Sequence, residues 1–217
     1  KLAITQAAAG FVNRTNFTTQ PKVTVQDVSG NTVTNFTGEV ALSIGSGASI
    51  TGDIDLTLVA GDLGVATFSG LGLQGTIGTY TITASSSNLT SATQTGVALT
   101  HGAAASVALT IPATVTNDAV FGVQPQARIL DADGNLVSTG TQSTQDVVLS
   151  SSNATIAGTL TQAAVGGVAD FTGIKLTSTI GSRSVTATIS NPSATDTETT
   201  TVTFGSATKL AITQAAA

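Results

Sequence analysis

The nine residues KLAITQAAA occupy Lys1–Ala9 and return unchanged at Lys209–Ala217, an offset of 208 positions (209 minus 1). An identity of that length within 217 residues marks a repeat architecture, in which the chain folds as similar units in series. A shorter period lies inside the long one. Gln20-Pro21 returns as Gln124-Pro125, and Asp27-Val28-Ser29-Gly30-Asn31 as Asp131-Ala132-Asp133-Gly134-Asn135, both at an offset of 104 (124 minus 20, 131 minus 27). Gly64–Leu71, GVATFSGL, returns as Gly167–Ile174, GVADFTGI, and Gly78–Ala84, GTYTITA, as Gly181–Ala187, GSRSVTA, at an offset of 103 (167 minus 64, 181 minus 78). The division that follows is residues 1–103, residues 104–206, and residues 207–217 as the first strand of a further repeat.

Each copy reads as β-structure. Gly or Pro interrupts nearly every window of helical length, and apolar β-branched residues alternate with polar ones between Gly, Asn, Asp and Ser turns. The pattern predicts strands in the first copy at Leu2–Thr5, Lys22–Asp27, Thr32–Phe36, Glu39–Ile44, Asp55–Val59, Val65–Ser69, Thr79–Ser85 and Thr95–Thr100. Inward positions are Val23, Val25, Val33, Leu42, Leu58, Phe68, Tyr80 and Ile82, with Phe68 and its counterpart Phe171 at the centres of two cores. Short antiparallel strands at this spacing predict an all-β fold of two tandem β-sandwich domains. Their junctions, His101–Ala105 and Gly205–Ala207, are short enough to make a stiff, extended array.

Composition narrows the function. Only 9% of residues are charged, against 41% hydrophobic, and there is no cysteine, methionine or tryptophan. Such a chain folds rather than staying disordered, and it has neither disulfides nor thiolate metal sites. A net charge of −5 with seven scattered basic residues argues against nucleic acid as a partner. No apolar run is long enough for a membrane span, so no membrane insertion is expected.

These turn and strand motifs resemble the tandem bacterial immunoglobulin-like domains of invasin and intimin type. They are a strand with an Asp-x-x-Gly-Asn turn, then Gly-x-Ala-x-Phe-x-Gly-Leu, then Gly-x-Tyr-x-Ile-x-Ala. The opener Ala207–Thr213, ATKLAIT, is similar to repeat starts in large bacterial surface and adhesin-like proteins. The resemblance implies immunoglobulin-like sandwiches and an extracellular, cell-surface location. It is consistent with a stalk, an adhesive tip or a fibre subunit, and it does not extend to the receptor-binding tip of the invasins.

Candidate sites are few. The spacing of Asp131, Asp133 and Asn135 is that of a calcium loop, but the residue twelfth in that loop is Gln142 rather than a bidentate carboxylate, and Ser29 replaces Asp133 in the first copy. A Gly-Asn turn accounts for both copies, so neither metal nor cofactor is expected; Asp53 and Asp55 read as a solvated loop. Asn13, Asn16, Asn35, Asn88 and Asn153 head Asn-x-Thr sequons and are candidate glycan acceptors. Lys22 and Lys175 are candidates for a Lys–Asn crosslink, and His101 reads as an exposed linker residue. A single histidine and no clustered carboxylates offer no nucleophile–base pair, so an enzyme is not expected. The repeated terminal strand, with Leu2, Ile4, Leu210 and Ile212 as its apolar residues, is the candidate assembly element. It continues an array or completes a neighbouring subunit by strand addition. The expectation is a structural repeat unit of a surface fibre, stalk or matrix filament whose partners are copies of itself. The alternatives are an adhesive module gripping a receptor or glycan through loops such as Gly45–Asp53, and an S-layer subunit.

Overall fold

The computed structural model describes residues 1–212, and these form an all-β protein without α-helix. The chain divides into two compact units. One comprises Lys1–Ala103 together with Asp131–Val137, and the other Ala104–Leu130 and Ser138 onward.

In the first unit β1 (Leu2–Gln6), β3 (Lys22–Val25) and β7 (Val65–Thr67) make one sheet in the order β1-β3-β7. The facing sheet runs β10-β9-β4-β6, from β4 (Gly38–Ile44), β6 (Asp55–Leu58), β9 (Gly78–Ser85) and β10 (Ala92–Leu99). A third, small sheet joins β2 (Thr15–Asn16), β8 (Gly72–Gly75) and β5 (Ala48–Thr51). Alternation puts every second side chain inward. Leu2, Val23, Val25 and Ala66 of the first sheet thus meet Val40, Leu42, Leu58, Ile82, Val97 and Leu99 of the second around Phe68. Gln94 adds a fastening of its own. Its Oε1 accepts from Ala8 N–H and its Nε2 donates to Ala8 O, both at 2.8 Å, so an amide side chain does the work of a strand neighbour.

The second unit repeats the plan. Its first sheet is β11-β13-β17, from β11 (Ala104–Thr110), β13 (Gln126–Asp131) and β17 (Val168–Asp170). The second is β12-β20-β19-β14-β16, from β12 (Thr114–Thr116), β14 (Asp146–Ser150), β16 (Thr161–Ala163), β19 (Gly181–Ser190) and β20 (Ser193–Thr203). A two-stranded sheet pairs β15 (Thr155–Ala157) with β18 (Lys175–Thr177). β12 lies parallel to β20, and in the first unit the same pairing survives as the single parallel bridge Val12–Thr100.

The repeated motifs have structural reasons. Gln20 Oε1 accepts from Leu71 N–H while its Nε2 donates to the carbonyls of Phe17 and Leu71. Gln124 does the same with Ile174 N–H and Phe121 O. The carbonyls of Pro21 and Pro125 accept from Phe68 and Phe171 N–H, seating each ring in its core. Gly64, at φ +75°, needs both the left-handed conformation and the missing side chain, because a Cβ there would run into the Val33 carbonyl.

Within the first unit the structure differs from the sequence reading at several positions. Thr32–Phe36 is a turn segment with one bridge, Gln26–Thr32, not a strand. Ala48–Thr51 inside the expected loop Gly45–Asp53 is a strand, paired along its length with β8. Val33 and Tyr80 are half-buried rather than central. Tyr80 instead stays at the rim because its hydroxyl donates to Thr76 O at 2.6 Å.

Phe68 and Phe171 are each 1% exposed. Phe68→Ala and Phe171→Ala should each lower stability by about 3–5 kcal/mol in denaturant unfolding, because a buried ring leaves a cavity that the sheets cannot close. A loss below about 1 kcal/mol would show that the ring is not central to its core.

Candidate functional site

The turn Asp131–Asn135 begins as local chemistry. An Asp side chain readily accepts from backbone N–H groups just ahead of it, and a glycine supplies the left-handed residue the turn needs. Asp131 Oδ1 accepts from the N–H groups of Asp133 (3.0 Å) and Asn135 (2.9 Å), Asp131 N–H donates to Asn135 O, and Gly134 sits at φ +79°. Asp27–Asn31 is built identically, with Asp27 Oδ1 accepting from Ser29 and Asn31 N–H at 2.9 Å and Gly30 at φ +91°.

The surroundings of the two turns differ. Asp27–Asn31 is exposed, whereas Asp131 and Asn135 are only 2% and 6% exposed. Within the first unit a cradle closes on the second turn. Asp131 Oδ2 accepts from Asn13 Nδ2 (2.8 Å) and Gly102 N–H (2.9 Å). Asn135 Oδ1 accepts from Ile77 N–H, and its Nδ2 donates to Gly75 O. Asp133 Oδ2 accepts from Asn13 Nδ2, and both its oxygens accept from Arg14, Nε at 2.8 Å and Nη2 at 2.7 Å. Asn13 is aimed by its other end, since its Oδ1 accepts from Gly75 N–H. Gly102 is required at close quarters, because a Cβ there would come within 2.6 Å of the Asn13 carbonyl oxygen.

Burial alone raises the pKa of Asp131, but hydrogen bonds from Gly102 N–H, Asn13 and Asn135 outweigh it and hold the carboxyl down to about 2. The Arg14 guanidinium likewise lowers Asp133, and Asp133 raises Arg14. The sites open to a cation on Asp131 are thus filled by N–H donors. Gln142, twelfth in the apparent calcium loop, accepts instead from Ala104 N–H through Oε1.

The sequence-derived candidates are scattered. Asn13 is 2% exposed with its Nδ2 committed to two carboxylates, so the folded chain does not present it as a glycan acceptor. Asn16, Asn35, Asn88 and Asn153 are exposed. Lys175 pairs with Asp118 at 2.7 Å with its side chain 38% exposed, which is not the buried setting a crosslink needs. His101 is half-buried, with Nδ1 2.9 Å from Gly102 O. Leu2 and Ile4 lie in β1 opposite Val25 and Val23. Leu210 and Ile212 are exposed and in no strand, and residues 213–217 of the expected terminal strand lie outside the described residues. Sequence reasoning missed Asn13, Arg14 and Gly102 as partners of the turn. The available signal was the pairing of Asn13 with Asn117 at the same offset of 104 (117 minus 13) that relates the turns.

Because the folded pKa of Asp131 lies below its ordinary 3.8, its contribution is present above about pH 4 and lost as pH falls toward 2. That amounts to about 2 kcal/mol. Denaturant unfolding of the wild type should lose at least this much between pH 5 and pH 2, and the protection factor of the Gly102 amide, its exchange measured against the intrinsic rate at each pH, should fall in step. Asp131→Asn should be destabilised at pH 5 and should lack that part of the pH dependence; an unchanged profile would contradict the arrangement.

No family model and no curated protein matches the sequence. Among solved structures the chain is similar to the D0-D1 domain of intimin, at 16% identity and a TM-score of 0.33, over 93% of this chain and 97% of that one. It is similar to invasin, described as a bacterial integrin-binding protein, at 20% identity and 0.36, over 94% of this chain and 40% of that one. It is also similar to domains 4-9 of the surface layer protein SbsC, at 18% identity and 0.29, over 94% and 31%. The chain thus spans less than half of the invasin and SbsC chains. Its structural neighbours include bacterial immunoglobulin-like adhesin domains.

Proposed function

We propose that this chain is a structural repeat unit of an extracellular cell-surface assembly, a fibre, stalk or matrix filament that gains length by adding copies. The observation that carries this reading is that the two sequence copies share several hydrogen-bonding devices. The Gln20 and Gln124 clasps, the Asp27 and Asp131 turns, and the anchoring of Asn13 and Asn117 to Thr100 O and Thr203 O, both at 3.0 Å, are the same devices used twice. What is duplicated is scaffold, and in solenoid-like arrays stability and reach accumulate over such units and their contacts. The nine-residue identity at a period of 208 extends the duplication to a higher level. The chain acts by spacing and holding rather than by catalysis, and its partners are further copies of itself.

The adhesive alternative needs a loop that projects, and Gly45–Asp53, its first candidate, is half strand.

Electron microscopy of two, three and four copies joined in frame through the shared KLAITQAAA tests the reading. Each added copy should lengthen the particle by a constant increment. Particles that stay compact as copies are added would overturn it, as would capture of a specific receptor or glycan by a single copy.

A further inference from the structure

The cradle that holds Asp131–Asn135 has a counterpart in the second unit. Asn117 N–H donates to Thr203 O as Asn13 N–H does to Thr100 O, and Asp118 N–H to Leu176 O as Arg14 N–H does to Leu73 O. Asn117 Oδ1 accepts from Ser178 N–H at 2.9 Å, the role Gly75 N–H plays for Asn13. A Cβ on Gly205 would come within 2.7 Å of the Asn117 carbonyl oxygen, as one on Gly102 would come within 2.6 Å of that of Asn13. Ile180 stands where Ile77 stands, at the offset of 103 (180 minus 77).

Of the groups that grip the turn in the first unit, the Asn side chain, the Gly and the Ile are thus reproduced, and Arg14 is replaced by Asp118. Among the described residues, however, no acceptor meets Asn117 Nδ2, Gly205 N–H or Ile180 N–H. Instead an open groove of about 410 Å³ lies there, lined by Thr116, Asn117, Asp118, Thr177, Gly205 and Ser206. Phe204, next in the chain to Gly205 of this lining, is 83% exposed, and Ile180 is 67% exposed.

We propose that this groove is a docking site for the Asp27–Asn31 turn of a second copy of the chain. The proposal rests on the reading of the chain as a structural repeat unit and names the contact between copies. Three observations select that occupant. First, Asp27–Asn31 has the internal hydrogen bonds of the docked turn, yet is exposed, with Val28 94% exposed as an apolar match to the rim.

Second, the polar pairs change together. Arg14 faces Asp133 in the first cradle; in the second, Asp118 replaces Arg14, and in the matching turn Ser29 replaces Asp133. Asp118 Oδ1 already accepts from Lys175 Nζ and Thr177 Oγ1, which leaves Oδ2 for the Ser29 hydroxyl. An aspartate at position 29 would face Asp118 with like charge.

Third, the stagger agrees. Asp131 follows Asn13 by 118 positions (131 minus 13), and 118 positions after Asn117 is 235, which on the period of 208 is 27 (235 minus 208).

The test uses the full chain at millimolar concentration, comparable to the effective concentration a short link provides. Unlabelled chain is titrated into ¹⁵N-labelled chain. The Asn117 side-chain amide, the Gly205 and Ile180 N–H groups and the amides of residues 27–31 should shift together. Ser29→Asp should weaken binding about tenfold or more. Adding Asp118→Arg to Ser29→Asp should restore it, by recreating the Arg14–Asp133 pair. Each substitution installs the residue the other copy carries at that position, and unfolding midpoints check that both variants fold. No shifts, shifts confined to the edge strands β6 and β16, or failure of the double variant to recover would each overturn the docking site. The structural reading would still stand if joined copies lengthened by a constant increment.

Discussion

A carboxylate removed from water is tolerated only where donors replace its hydration, and Asp131 shows how completely this chain meets that condition. Its oxygens accept from the N–H groups of Gly102, Asp133 and Asn135 and from the side-chain amides of Asn13 and Asn135. Each of those donors is fixed in turn. Asn13 is oriented by Gly75, Asn135 by Ile77 and Gly75, and Gly102 by having no side chain to keep it from the Asn13 carbonyl. Such an arrangement is selective, since any turn lacking the first Asp or the final Asn would leave buried donors unsatisfied. In a chain with few charges, geometry of this kind replaces charge as the source of specificity.

The two Asp-x-x-Gly-Asn turns separate local from tertiary contributions. Their internal bonds are alike, so the turn conformation belongs to the five residues themselves. Burial does not. Asp27 is held below its ordinary pKa mainly by Asn31, its own turn partner, while Asp131 also draws on Asn13 and Gly102 from far along the sequence. Sequence motif alone identifies the plug, and only the surrounding fold identifies a socket.

This difference explains what could be read from residues alone. Period-2 alternation located most strands and placed Val23, Val25, Leu42, Leu58, Phe68 and Ile82 inside, because burial of apolar groups on a pleated surface is a local pattern. It failed at Thr32–Phe36, where Val33 alternates correctly but the chain turns back within residues 33–36, with Phe36 N–H donating to Val33 O. It also missed β5, ASIT, and β8, GLQG, four-residue strands too short for alternation to register, which pair with each other along their length. Asn13 looked like a sequon because its neighbours fit one; its actual partners lie 118 and 120 positions away and leave no local trace.

The repeated stretch KLAI makes the same point in its strongest form, since the residues are identical and only context varies. At the start of the chain, Leu2 is 4% exposed and pairs with Val25 in β1. At Leu210 and Ile212 the same residues are exposed and in no strand. In β1 the strand is held by the sheet edge that β3 offers, whose register sets Leu2 opposite Val25 and Ile4 opposite Val23. The Asp turns and the Asn cradles differ from this strand in forming without their complements; what a complement adds is burial, as Asp131 at 2% exposed shows beside the exposed Asp27.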